Sequence, residues 1–202
     1  MMQALLGIAY QKGITILNNI EVDKINDTKT HVEISLKNNL SISSKKVIIA
    51  TNGFAKQLLP DLDVKPARAQ VLITSSIKGL KLKGAFHYQQ GYYYFRNIDN
   101  RILFGGGRNL DFKGEETTDM RLTEIIQNKL EQILKQNILP KQSYKIEQRW
   151  SGIMGVGSEK KPIIKHITKN VVCAVRMGGM GVAIGSLVGQ MAVDELEGRK
   201  SK

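Results

Sequence analysis

The sequence predicts an α+β protein, and three observations carry that expectation. Val171–Glu197 opens on an apolar, β-branched run, passes Gly178, Gly179 and Gly181, and continues with Val182, Leu187, Met191 and Leu196 at helical spacing. This reads as strand, glycine turn and helix. Between Gln70 and Gly106, short segments alternate apolar and polar residues across hairpin turns, as in an antiparallel sheet. Asp119–Gln136 places Leu122, Ile125, Ile126, Leu130, Ile133 and Leu134 three and four apart, as in an amphipathic helix.

In chain order, Met1–Lys12 resembles the last turns of a helix, with Gly13 as its C-cap. Ile14–Leu17, Glu21–Ile25, His31–Leu36 and Leu40–Ser44 then read as a meander of short strands between Asn-, Asp- and Lys-rich turns. Lys46–Ala50 is a continuous apolar run, expected of a strand covered on both faces, and it stops at Thr51-Asn52-Gly53. Phe54–Leu59 forms a short helical turn closed by Pro60, and Leu62–Pro66 is expected to be a linker.

Strands are expected at Gln70–Thr74, Phe86–Tyr88, Tyr92–Asn97 and Ile102–Gly106, with hairpin turns at Gln90-Gly91 and Asp99-Asn100. Thr117 or Thr118 would cap the amphipathic helix, and Pro140 would end it. Tyr144–Ser151 is a further strand, followed by a glycine-marked loop at Gly152–Gly157. Ile163–Ile167 and Val171–Val175 form a hairpin across Thr168–Asn170. The organisation expected is an antiparallel-sheet part, residues 66–158, inserted into a discontinuous part made of 1–65 and 159–202.

Composition narrows the function. A chain of 202 residues with 42% hydrophobic and 24% charged residues is ordinary for a globular protein. The charge of +12 comes from 30 scattered Lys and Arg residues, never more than two in a row, so no nucleic-acid partner is expected. Met177–Val193 is uncharged, but it opens on glycines between Arg176 and Asp194 and sits at the lower limit for spanning, so no membrane span is expected. The single cysteine, Cys173, lies in an apolar strand and fits a reducing, cytoplasmic setting. The three histidines have no metal-ligand spacing, and no metal site is expected. No Ser/His/Asp set or P-loop is present, and no catalytic residue is assigned.

Gly179-x-Gly181-x-x-x-Gly185 approximates the glycine spacing of a dinucleotide fingerprint, and a core helix using glycine for close packing is equally open. Several motifs in order narrow this: Val22 within NNIEVDKI, KVIIATNGF at Lys46–Phe54, PARAQV at Pro66–Val71, and YYYFRNIDNRILFGGGR at Tyr92–Arg108. WSG at Trp150–Gly152 and RMGGMGVAIG at Arg176–Gly185 complete the set. Together they resemble the C-terminal two thirds of an FAD-dependent amine or D-amino-acid oxidoreductase, the family of glycine oxidase, sarcosine oxidase and D-amino-acid dehydrogenase. The resemblance covers essentially the whole chain.

That resemblance implies an α/β-family protein that is truncated. The chain would be a remnant of an FAD-binding Rossmann-like domain plus an antiparallel-sheet substrate domain. The family's N-terminal GxGxxG unit has no counterpart here, so a truncated product, a separately encoded half or a fragment is expected. A partner chain could then supply the missing unit. The implied activity is oxidation of a C–N bond in an amine or amino-acid-like substrate by hydride transfer to FAD. The alternative is a non-catalytic, flavin-free remnant or binding subunit.

By resemblance, Val22 would meet the adenine, and Ala50, Thr51, Asn52 and Gly53 would pack on the ADP portion. Gly178, Gly179, Met180, Gly181 and Val182 would present backbone amides and a helix N-terminus to the pyrimidine side of the flavin ring, where reduced flavin carries negative charge. Tyr93, Tyr94, Arg96 and Met154 are the implied substrate-side positions. The family's carboxylate-binding arginines match Met154 and Gly179 here, a departure that puts an α-amino-acid substrate in doubt. Arg96, Arg108 and Arg176 are the arginines that could substitute.

Overall fold

The computed structural model describes residues 2–199. Helix α1 (Met2–Gln11) leads through an exposed segment into a meander of β1 (Val22–Asp27), β2 (Val32–Leu36) and β3 (Ser41–Ser44), paired antiparallel in that order. Asn39, at φ 64°, takes the left-handed turn between β2 and β3, a conformation asparagine tolerates better than most residues. Ile14–Leu17, expected as a strand, is not one. No strand lies beside it, and Ile14 and Leu17 are left more than half exposed.

A second sheet has the order β10-β11-β4. Strand β10 (Ile163–Thr168) runs antiparallel to β11 (Val171–Val175), and β11 runs parallel to β4 (Val47–Ile49). The two continuous apolar runs of the sequence are thus neighbours. All five residues of β11 are buried because both faces are covered. On one face, Val172 and Ala174 pack against Val188 and Ala192 of α3 (Gly181–Glu197). On the other, Val171, Cys173 and Val175 join Val32, Ile49, Leu62 and Val64. Asp27 ties the meander to the hairpin, accepting from the Asn170 amide at 2.9 Å and the Thr168 hydroxyl at 2.6 Å. Burial raises the Cys173 thiol above its ordinary pKa, the condition of an inert thiol.

The third sheet has five strands in the order β6-β7-β8-β5-β9. These are β5 (Lys65–Thr74), β6 (Ala85–Tyr88), β7 (Tyr93–Ile98), β8 (Arg101–Gly106) and β9 (Ile146–Val156). Helix α2 (Glu124–Ile133) covers one face, closing a core of Leu72, Tyr93, Ile102 and Phe104 against Ile126, Leu130, Ile133 and Leu134. A buried bidentate pair, Arg68 to Glu115 at 3.0 and 2.8 Å, fixes the loop before α2 to β5.

Three expectations change for physical reasons. The segment read as a linker, Leu62–Pro66, overlaps β5, because Lys65 and Pro66 pair with Val156 and Gly155. The segment read as a loop, Gly152–Gly157, continues β9 through Val156 along the whole of β5. Helix α2 starts at Glu124 rather than Asp119. The preceding groups are already engaged: the Asp119 carbonyl accepts from Arg68 and the Thr123 amide donates to Gln70.

Candidate functional site

Three segments far apart in sequence meet where β9 ends and α3 begins. After β4, the chain enters a 3₁₀ turn at Asn52–Gln57, with Asn52 itself at φ 47°. The Asn52 side-chain oxygen accepts from the Met177 amide at 3.1 Å, and the Gly178 amide donates to the Gly155 carbonyl at 2.9 Å. These bonds clamp the turn before α3 to the turn after β4 and to β9. The fit requires glycine both in the 3₁₀ turn, at Gly53, and in β9, at Gly155. A Cβ at Gly53 would lie 2.7 Å from the Met154 carbonyl oxygen, and one at Gly155 would lie 2.6 Å from Asn52 Oδ1.

The turn is held from the other side by Arg176, which sits buried at φ 65°. Its guanidinium donates to the Lys161 carbonyl at 2.9 Å and pairs with Asp63. Hydrogen bonds from Ser158, with Arg176 beside it, hold the Asp63 carboxyl below its ordinary pKa. Arg176 therefore anchors the turn and is not available to a substrate.

Beside this junction lies a cleft of about 680 Å³, within the range of ligand sites, lined among others by Asn52, Ile153, Met154, Met177, Gly179 and Gly181. Gly178 and Gly179 take φ of 57° and 86°, and a Cβ on Gly179 would stand 3.0 Å from Met154 Sδ. The Gly178 and Met180 amides are used by Gly155 and Met177. The first-turn amides of α3, at Gly181 and Val182, have no acceptor within the helix and carry its positive end. The cleft thus offers bare backbone, free amide donors and apolar walls.

A second, smaller pocket of about 180 Å³ lies on the outer face of the five-stranded sheet. It is lined by Ala69, Tyr92, Tyr94, Arg108, Phe112 and Met154, with Gly91 and Gly106. Met154 lines both cavities. The Arg108 guanidinium stacks on Phe112 at 4.7 Å, and Tyr92 meets the same ring edge-on at 6.4 Å.

The positions named from sequence distribute unevenly. Asn52, Gly179, Gly181, Val182 and Met154 line the larger cleft, and Gly53 packs behind it. Gly178 and Met180 belong to the adjoining turn; Ala50 and Thr51 are exposed beside it. Val22 begins β1 and is not among the cleft residues. Tyr94 lines the smaller pocket, whereas Tyr93 faces the core at 1% exposure, because adjacent strand residues point to opposite faces. Arg96 shares the outer face with Tyr94 but pairs with Ala85 and Leu103, two residues along, outside the pocket lining. Met177 completes the larger cleft and Arg108 and Phe112 the smaller pocket, with Gly155 packed against Asn52 at the junction. Of these, Arg108 is named from the sequence as an arginine that could substitute, and only the glycine-rich texture of 152–157 points to Gly155. Among the described residues no cluster of His, Cys, Asp and Glu could hold a metal ion, and no helix is long and apolar enough to cross a membrane.

The sequence profile of a family described as FAD dependent oxidoreductase matches residues 1–195. The chain belongs to the FAD-dependent oxidoreductase family. Solved structures carry the same fold. Iminodiacetate oxidase from Chelativorans sp. BNC1 superposes with a TM-score of 0.81 at 19% identity, over 99% of this chain and 55% of its own. Glycine oxidase from Geobacillus kaustophilus gives 0.83 at 17%, over 98% and 54%. L-alpha-glycerophosphate oxidase from Mycoplasma pneumoniae, with FAD bound, gives 0.76 at 18%, over 96% and 54%. This FAD-dependent oxidoreductase family member thus spans about half the length of the structures it matches. No curated protein sequence matches it.

Proposed function

We propose that the larger cleft receives the isoalloxazine end of FAD, and that the chain forms the substrate-facing part of an oxidoreductase acting on a C–N bond of an amine or amino-acid-like substrate. The observation that carries this reading is the three-way junction of Asn52, Gly155 and the Met177–Gly178 turn, which holds an amide-lined glycine turn open over a ligand-sized cleft. FAD bound there would accept a hydride from the substrate carbon, leaving an imine to be hydrolysed.

The chain's own residues bind and orient. Gly179 admits a ring to the backbone, and the free amides of Gly181 and Val182 face developing negative charge. Met154 and Ile153 form an apolar wall that excludes water, and Asn52 fixes the height of the turn. Ala50, Thr51 and Val22 would line the route toward the nucleotide end. In this reading residues 66–158 form the substrate domain, and 1–65 with 159–202 form part of the FAD-binding domain.

The same reading explains an apolar surface. Leu5, Leu6 and Ile8 of α1 and Val182, Leu187 and Val193 of α3 are all at least 40% exposed. We infer that polypeptide supplying the rest of the dinucleotide-binding unit covers them, in the same chain or as a partner chain. The test is to produce the chain joined to such a unit and record its visible spectrum after desalting. Bound flavin bands are expected. A colourless, folded product would refute the reading and favour a flavin-free binding subunit.

A further inference from the structure

Arg108 has features that the proposed flavin site does not use. Arg68, Arg101, Arg121, Arg149 and Arg176 are each neutralised by a carboxylate. Arg96, Arg108 and Arg199 form no such pair among the described residues; Arg108 is the one of the three that lines a cavity described above, and its described partner is the face of Phe112. Stacking of this kind immobilises a guanidinium while leaving its N–H edge free for a bidentate acceptor. The backbone beneath it is constrained too. The Gly107 amide donates to the Tyr92 carbonyl at 3.0 Å, and a Cβ on Gly106 would stand 2.1 Å from that same oxygen.

The pocket that Arg108 enters is walled by Tyr92, Tyr94 and Phe112, and its one link to the larger cleft is Met154. Positions 154 and 179, beside the glycine turn, carry no charge. A cation and an amide-lined cleft are therefore separated by a thioether side chain. Partial burial pushes the Tyr94 phenol above its ordinary pKa, so at neutral pH it is a neutral hydrogen-bond donor.

We propose that Arg108 is the oxyanion clamp of the substrate site, and that the substrate is an amine bearing its carboxylate or phosphate remote from the oxidised C–N bond. This rests on the flavin reading for the position of the reacting carbon. The anion lies in the aromatic pocket, the spacer of the substrate runs along Met154, and the amine reaches the glycine turn. An α-amino acid, whose carboxylate adjoins the reacting carbon, places its charge against Met154 and Gly179, where nothing receives it.

Saturation-transfer NMR on the full chain, at fixed ionic strength, tests the clamp without requiring flavin. The probes are 4-aminobutanoate, 3-aminopropyl phosphate and n-butylamine. One or both anionic probes are expected to bind and butylamine not, and the better anion identifies carboxylate or phosphate. Arg108→Gln weakens that binding by at least about tenfold. Arg108→Lys, which keeps charge without the fork, gives an intermediate loss, and Arg96→Gln leaves binding unchanged. Circular dichroism of each variant establishes that it is folded. Equal binding of butylamine, unaltered binding by a folded Arg108→Gln variant, or no binding by the parent chain overturns the proposal. The flavin reading fails separately, by absence of visible absorption in the completed protein.

Discussion

Helices α2 and α3 differ in pattern and in fate: α2 gathers its apolar residues on one face, whereas α3 carries them around most of its circumference. In α2, Ile126, Leu130 and Ile133 are at most 4% exposed, each facing the five-stranded sheet. In α3 only Val188 and Ala192 are buried, while Val182 is 80% and Leu187 61% exposed. The single apolar face of α2 meets the sheet and is closed, whereas the apolar circumference of α3 needs a second layer that these residues do not supply. The region around α2 is closed by its own residues. Helix α3 has one covered face and one bare face, α1 has no buried residue, and the glycine turn lies at the start of α3 beside its bare face.

The largest test of this contrast is a pair of truncations. Phe104→Ala, in the closed core, is expected to cost about 3–5 kcal/mol in urea unfolding. Leu187→Ala should fall within about 0.5 kcal/mol in the same assay. In a protein completed with a dinucleotide-binding unit, Leu187→Ala should rise to about 2 kcal/mol or more. Equal costs for both substitutions in the chain alone would erase the distinction.

Gly155→Ala acts at the border. Its methyl group would displace Asn52 Oδ1, 2.6 Å away, and with it the acceptor of the Met177 amide. The expected cost is about 1–3 kcal/mol by thermal unfolding, and flavin retention in the completed protein should fall with it. Unchanged flavin retention at reduced stability would show that the junction supports the fold alone.

The smallest effect concerns Asp63. Its pKa is depressed in the folded state, chiefly by the Ser158 hydroxyl, with Arg176 adding to it. Its contribution is therefore present above the unfolded carboxylate pKa of about 4 and is lost as pH falls through the lower folded value. Urea midpoints of parent and Asp63→Asn should differ at pH 6, and the difference should shrink progressively as pH falls below about 4. A constant difference across that range would remove the carboxylate from the anchoring of Arg176.

Much of the closed region could be read from the sequence because its periods are local. Alternation in Tyr92–Asn97 and Ile102–Gly106, and the helical spacing through Ile126, Leu130 and Ile133, follow from single elements. The continuous run at Lys46–Ala50 announced a strand covered on both faces, and it pairs in parallel with the apolar run Val171–Val175. Gly152–Gly157 misled because glycine signals a loop as well as a close approach. Here it admits Asn52 to the strand, a contact made across 103 positions of sequence from Asn52 to Gly155. Tyr93 and Tyr94 could not be told apart until the register with Gly106 and Gly105 fixed the faces. Arg108 could be named from the sequence only as one of three arginines able to substitute, because its partner, Phe112, lies in an irregular loop with no period to reveal it.

Amide hydrogen exchange, read by mass spectrometry on the chain alone and after joining to a dinucleotide-binding unit, tests the contrast between the two regions most directly. Slow exchange is expected in β5, β8 and β9 in both forms, with α1 and α3 fast in the chain alone and protected in the completed protein. Uniform slow exchange across α1, α3 and the five-stranded sheet in the chain alone would contradict it.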